Sequence, residues 1–309
     1  MHSINALIHS PYETVVNLPM LALLPAVALV LGGLVMAASL VRTARSAQTM
    51  PPSLDAARQH ATVVSAASIV FTILAGVASF ALPLQGRGGA VAPLVGALAG
   101  MATLGLGELT WPRPKAVRRT ATLERRGARE VLSKRWLGAA ALAGSLACLV
   151  IVIGGLLAGP DGRSISGSAT APDGAVVTWT RTPFPGWFFG GPQLIALAVL
   201  ALAVWGVTHL VVGRPAVEAA TQTEDRTLRR AASSRALRLG TSAARATVSA
   251  DLLTGGVTRW GQPWAWAPLG LGLASVLVAG AVLITPVPRL TPLPEVEALT
   301  AMAKTTPAP

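Results

Sequence analysis

Six stretches of apolar residues punctuate the chain, each about the 20-residue length of a helix that crosses a bilayer's hydrocarbon core. They cover 18–41, 62–84, 89–107, 137–159, 193–212 and 268–285, and none contains an Asp, Glu, Lys or Arg. The pattern predicts an all-α integral membrane protein with six transmembrane helices, forming a single domain over 1–286. Residues Gln85 to Gly89 form a tight turn that makes the second and third spans antiparallel neighbours. In the main outer loop, 160–192, segments 164–170 and 175–182 are rich in β-branched residues and flank Ala171-Pro172-Asp173-Gly174. That arrangement predicts a small β-hairpin turning at Pro-Asp-Gly.

The stretch 213–267 holds no apolar run of spanning length. It reads as a basic loop with an Ala-rich helix over 217–239 and a second short helix over 243–253, ahead of Gly255-Gly256. The Pro- and Thr-rich tail 287–309 is expected to be disordered.

Charge placement gives these spans a direction. Only 12% of residues are charged and 52% are hydrophobic, which is membrane rather than soluble composition. Of the 25 Lys and Arg residues, 20 lie in three loops, 42–61, 109–136 and 213–267. Cytoplasmic loops collect such cations, so these three are expected inside and both termini outside. The first span is not a cleavable signal: Glu13 and no cation precede it, while Arg42 and Arg45 follow it. The net charge of +12 is thereby assigned to an anionic inner leaflet rather than to nucleic acid. The single cysteine, Cys148, excludes an intramolecular disulfide.

Sliding the chain by 101 residues aligns the second and third basic loops without a gap. Arg113-Pro114 falls on Arg214-Pro215, Thr120 on Thr221, Arg125 on Arg226 and Arg129 on Arg230, with seven identities over the 23 positions 113–135. The offset predicts duplicated helical hairpins. It also places Glu108 on His209, the two ionisable groups that abut spans, as a candidate polar pair. Ionisable groups at membrane depth are functional suspects, and a carboxylate–imidazole pair could relay protons or hold a ligand. Ser65, Ser68, Thr72 and Ser79 of the second span are candidate liners of such a site, although Ser and Thr also bond to their own helix backbone. A candidate lipid or partner surface comprises Arg118, Arg119, Arg125, Arg126, Arg129, Arg226, Arg229 and Arg230, with Trp187, Phe188 and Phe189 on the other face.

The four histidines are scattered and no Cys/His spacing suits zinc. No Gly-rich phosphate loop or Ser elbow is present. No catalytic residue, metal site or cofactor is therefore assigned. For helix packing, Gly96/Gly100, Ala28/Gly32 and Ala140/Gly144 are small-x-x-x-small pairs.

The segments Gly107-Glu108-Leu109-Thr110-Trp111-Pro112-Arg113-Pro114 and Pro183-Phe184-Pro185-Gly186-Trp187 resemble uncharacterised multi-spanning integral membrane proteins of actinobacteria. The resemblance covers these two segments and the span pattern. It implies a bacterial plasma membrane and carries no activity. The spans' lack of polar groups favours a non-enzymatic accessory or scaffold component of a membrane or transport complex, with a transporter's ATPase as one partner. A small-solute permease with a polar site near Glu108 and His209 is the alternative, and a membrane enzyme acting on lipid the third.

Overall fold

The computed structural model describes residues 51–82, 84–112, 131–170, 172–217, 220–259 and 265–285. The first apolar stretch, the Ala28/Gly32 pair, the tail and Arg118 to Arg129 lie outside them. The described chain forms α1 (Pro52–Phe80), α2 (Arg87–Leu109), α3 (Lys134–Leu157), β1 (Ile165–Thr170), β2 (Val176–Arg181), α4 (Trp187–Gly213), α5 (Gln222–Thr258) and α6 (Trp266–Ile284). Five of these helices, all but α5, are long and apolar enough to cross a membrane. Each contains one of the expected spans nearly whole, and α1 begins ten residues before its span.

Small residues set how closely the helices approach. At Gly96 an added Cβ would lie 2.6 Å from the Thr72 carbonyl oxygen, and at Gly100 it would strike the Thr72 hydroxyl. The Gly96/Gly100 face of α2 is thus the seat of α1. The Ala140/Gly144 pair makes no such contact, since a Cβ at Gly144 would meet nothing within 4 Å. The buried small face of α3 is instead Ala143 and Ala147.

The β-hairpin forms where expected, pairing Ile165 with Arg181 and Thr170 with Val176 in antiparallel register. Its turn relies on Gly174 at φ 82 and on Asp173 Oδ1, which accepts the Ala175 N–H at 3.0 Å. A second loop forms at the foot of the hairpin. There Asp161 Oδ1 accepts from the Ser164 hydroxyl at 2.7 Å and from the Ser164 and Arg163 amides at 3.0 and 3.1 Å.

The expectation for 213–267 is overturned. In place of a loop with two helices there is one helix of 37 residues, α5, running straight through Gly255-Gly256. A capping box starts it: the Glu224 amide donates to the Thr221 hydroxyl and the Thr221 amide to Glu224 Oε2. Twenty-one of its residues are buried, against five of 24 in α3, because α2, α3, α4 and α6 all pack around it. Hydropathy could not reveal this helix, whose interior face is mostly Ser, Thr, Ala and Gly, with Leu237, Val248 and Leu253 its large apolar members.

At about 1.5 Å per residue α5 is about 55 Å long, enough to pass the whole bundle. Near its start Arg229 touches Val211 and Val212 at the end of α4, while at its finish Thr258 accepts a bond from Arg181 of the hairpin. α6 returns antiparallel along it. Ser249 donates to Gly272 O at 2.9 Å, Ser275 to Arg245 O at 2.9 Å and Ser242 to Ala279 O at 3.1 Å. Arg238 then reaches Thr285 O and lies 4.6 Å from the Trp136 ring at the start of α3. Thr285 therefore finishes at the end of the bundle that holds Glu108 and the start of α3, opposite the hairpin.

The 101-residue offset acquires a geometric counterpart. Shifted by 101, α2 falls on 188–210 within α4, and α3 falls on 235–258, the last 24 residues of α5. Gly154-Gly155 falls on Gly255-Gly256. Ala143 and Ala147 pack in one cluster with Ala244 and Val248, and these are their own equivalents under the shift.

Two predictions follow from this packing. Interhelical hydroxyl bonds in membranes average about 0.6 kcal/mol, whereas an overpacked close crossing costs about 1–3 kcal/mol. Ala244→Leu should thus destabilise the protein more than Ser249→Ala in thermal unfolding in detergent; the reverse order would mean the α3–α5 crossing is loose. The three donors around Asp161 hold its carboxyl below the ordinary value of 3.8 by stabilising the anion. Since the folded value is the lower one, the loop's gain from this charge is present above the unfolded value and lost as pH falls through the folded one. Carboxyl-carbon NMR should give a titration midpoint below 3.8.

Candidate functional site

The ends of α1, α2 and α4 and the first half of α5 enclose a cleft lined by His60, Ser65, Glu108, Trp111, Arg214 and Arg235. It encloses ≈ 450 Å³ of empty space, counting its open mouth. Each chain segment delivers its polar group for a local reason. Glu108 sits in the last turn of α2, and Trp111 just beyond it, where Leu54, Ala57 and Val217 bury its ring. Arg214 is the residue at which α4 stops, its amide bonding to Leu210 O as the chain turns toward Pro215.

Glu108 does not meet His209. Its partner is Arg214, whose Nη1 lies 3.1 Å from Glu108 Oε2, with the two side chains 10% and 1% exposed. The Arg214 guanidinium also stacks 3.7 Å above the Trp111 ring. His209 is exposed on α4 with its ring 5.6 Å from Trp205. The geometry replaces the candidate carboxylate–imidazole pair with a buried carboxylate–guanidinium pair capped by an indole. The 101-residue alignment had already lined up Arg113-Pro114 with Arg214-Pro215, which is the signal that could have drawn attention to Arg214.

Arg229 is not part of a surface. It is buried, and its guanidinium collects the last carbonyls of α4: Nη1 donates to Val211 O and Val212 O, and Nη2 to Arg214 O, all at 2.8 Å. Its Nε donates to Asp225 Oδ2 at 2.7 Å. The free carbonyls of a helix C-terminus carry negative partial charge, so one arginine both caps α4 and fixes α5 beside the cleft. Arg226 is partly buried and Arg230 exposed. At the hairpin end, Trp187, Phe188 and Phe189 open α4. Arg87 stacks 3.9 Å from the Phe188 ring and donates to Phe188 O at 3.1 Å.

The serines and threonine proposed as liners are satisfied on backbone. Ser65 donates to Ala61 O, Thr72 to Ser68 O and Ser79 to Ala75 O, while Ser68 crosses to Gly100 O. Only Ser65 among them lines the cleft.

Sequence reasoning missed the charges on the inner face of α5. Arg235 lines the cleft, within reach of the charge of Glu108. Farther along, Asp251 is buried, and its Oδ1 accepts from Gln193 Nε2 at 2.9 Å while Gln193 also donates to Ala90 O. That pair ties α2, α4 and α5 together near the hairpin end. Among the described residues no group of His, Cys, Asp and Glu could hold a metal ion.

Removing the Glu108 charge leaves Arg214 buried without a counter-ion, a loss of about 3 kcal/mol or more. Glu108→Gln should lower unfolding stability by that order, while the exposed His209→Gln stays within about 0.5 kcal/mol. Comparable losses from the two would mean that His209 shares the load.

Comparison with known proteins gives no likeness to build on: no family model matches the chain, and no curated protein or solved structure matches it.

Proposed function

We propose that the chain is a multi-pass, non-enzymatic permease of a bacterial plasma membrane, moving a small polar solute along α5. One observation carries this reading: a helix with nine ionisable side chains, of which Arg229, Arg238 and Asp251 are buried, runs among four apolar helices of spanning length. Charged groups in such a position are expensive, and where they occur they mark solute or proton paths. The absence of polar groups in the apolar spans had favoured a scaffold. That argument loses its force once α5 supplies Arg235, Arg238, Arg245 and Asp251 to the interior.

The Glu108 end is the cytoplasmic one in this reading. Arg87, Arg163, Arg181 and Arg259 are the basic residues of the hairpin end, far fewer than the Lys and Arg that surround the ends of α1, α2 and α4. The tail after Thr285 is then cytoplasmic, and with 18–41 as a further span the chain crosses seven times with its start outside. The α2–α3 and α4–α5 hairpins are two copies of one unit running in the same direction, related by an axis along the membrane normal rather than by inversion.

A second reading, an accessory component of a membrane complex, draws support from the outer hairpin, which displays Val176 and Val177 at 69% and 53% exposure.

Two measurements test the proposal. In a Cys148→Ser background, an impermeant maleimide applied to intact cells should label Asp173→Cys and leave Thr305→Cys unlabelled; labelled Thr305→Cys would reverse the topology. In proteoliposomes the purified protein should release small labelled solutes faster than empty vesicles do. A stoichiometric partner in the purified sample, with no release, would establish the accessory reading instead.

A further inference from the structure

The cleft at the Glu108 end has too many donors for its acceptors. Arg214 spends Nη1 on Glu108 and leaves Nε and Nη2 with no hydrogen-bond partner. Those two N–H groups form one straight edge of the guanidinium, the fork that matches two oxygens of a carboxylate or phosphate. The Trp111 Nε1–H, a donor that can never accept, is likewise buried without a partner. Arg235 also lines the cleft. Arg214 and Trp111 are each 4% exposed, so bulk water does not supply the missing acceptors. Each buried donor left unpaired destabilises the fold, and more so where the donor is charged.

Charge points the same way as hydrogen bonding. Arg214 and Arg235 both line the cleft, and Glu108 is its one carboxylate among the described residues. Among the described residues, the other charges that act on Arg214 and Arg235 are Arg229, Arg238 and Asp225, two cations and one anion. Arg229 and Arg238 are occupied by helix C-terminal carbonyls. The free donor edge of Arg214 and the second cation, Arg235, therefore meet in one cleft.

We propose that this cleft binds a phosphate-type oxyanion, with the Arg214 Nε/Nη2 edge and the Trp111 Nε1–H donating to its oxygens and Arg235 balancing its charge. The source is either free inorganic phosphate or the headgroup phosphate of an anionic lipid. The inference rests on the permease reading for its role as a solute site, and on the donor geometry alone for binding.

The test uses the full-length protein in phosphatidylcholine nanodiscs. One arm adds inorganic phosphate; the other replaces part of the lipid with phosphatidylglycerol and omits phosphate. Binding is read by native mass spectrometry and as a rise in unfolding temperature. The expected result is binding in at least one arm, weakened about tenfold by Arg235→Gln and substantially retained in Arg235→Lys. Trp111→Phe keeps an aromatic ring beneath Arg214 while removing the N–H, and should also weaken binding; it serves where Arg235→Gln does not fold. Phosphate binding without a lipid effect identifies a free solute, and the converse identifies a lipid. Absence of binding in both arms, or binding that all three variants leave unchanged, overturns the inference. Solute release without anion binding would sink this site but leave the permease standing. Anion binding without release would do the opposite.

Discussion

A buried arginine can sit inside an apolar bundle only at the cost of its hydration, and Arg229 and Arg238 of α5 offset that cost at the ends of neighbouring helices. Every helix leaves its last four carbonyls without internal partners and carries a negative partial charge at that end. α4 and α6 both finish at the Glu108 end, where the arginines of α5 are concentrated. Arg229 takes the carbonyls of Val211, Val212 and Arg214, and Arg238 takes that of Thr285. Beyond Arg245 the helix carries one ionisable group, Asp251, set among the starting ends of α2 and α4, where the dipoles favour an anion. The gradient from basic to acidic along α5 is the one its antiparallel neighbours demand. Ser242 and Ser249, seven residues apart, complete the fit by bonding to α6 carbonyls without the bulk that would push the helices apart.

Much of this could be read from residue order, and what could not has a definite cause. The apolar stretches within 62–285 and the Pro-Asp-Gly hairpin rest on long, strong patterns, and each lies where those patterns put it. α5 escaped because a hydropathy window measures transfer to lipid, and this helix is solvated by other helices. Gly255-Gly256 read as a break for the same reason. Inside the bundle both are buried, and a Cβ at Gly256 would come 2.7 Å from Leu269, so the glycines serve close packing. The information was present in the 101-residue offset, which aligns Gly154-Gly155 of a recognised span with Gly255-Gly256. Followed past position 135, it would have placed 235–258 on α3.

At the site, the offset was informative in a different way from the one first drawn. Positions 101 apart fall at matching places along α2 and α4, but such a match alone does not make a contact. Glu108 faces inward, His209 faces outward, and the inward cation nearest that level is Arg214, delivered by the turn that ends α4. A pairing between side chains depends on helix rotation, and rotation is set by which small residues meet. In α2 these are Gly96 and Gly100, seated on α1, a constraint with no counterpart at Leu197 and Ala201 of α4.

The two hairpins also separate what the fold requires from what it merely tolerates. Positions Arg238, Arg245 and Asp251 of α5 correspond to Leu137, Gly144 and Val150 of α3. α3 matches the last 24 residues of α5 and joins the same Ala143/Ala147 crossing with none of those charges. A hairpin of this shape is therefore attainable with apolar residues at all three places, at no desolvation cost. Charges kept at depth in one hairpin and absent from its equivalent are not needed to build the hairpin. What distinguishes α5 from α3 is chemistry, and that difference is the strongest reason to look for the protein's activity along this helix.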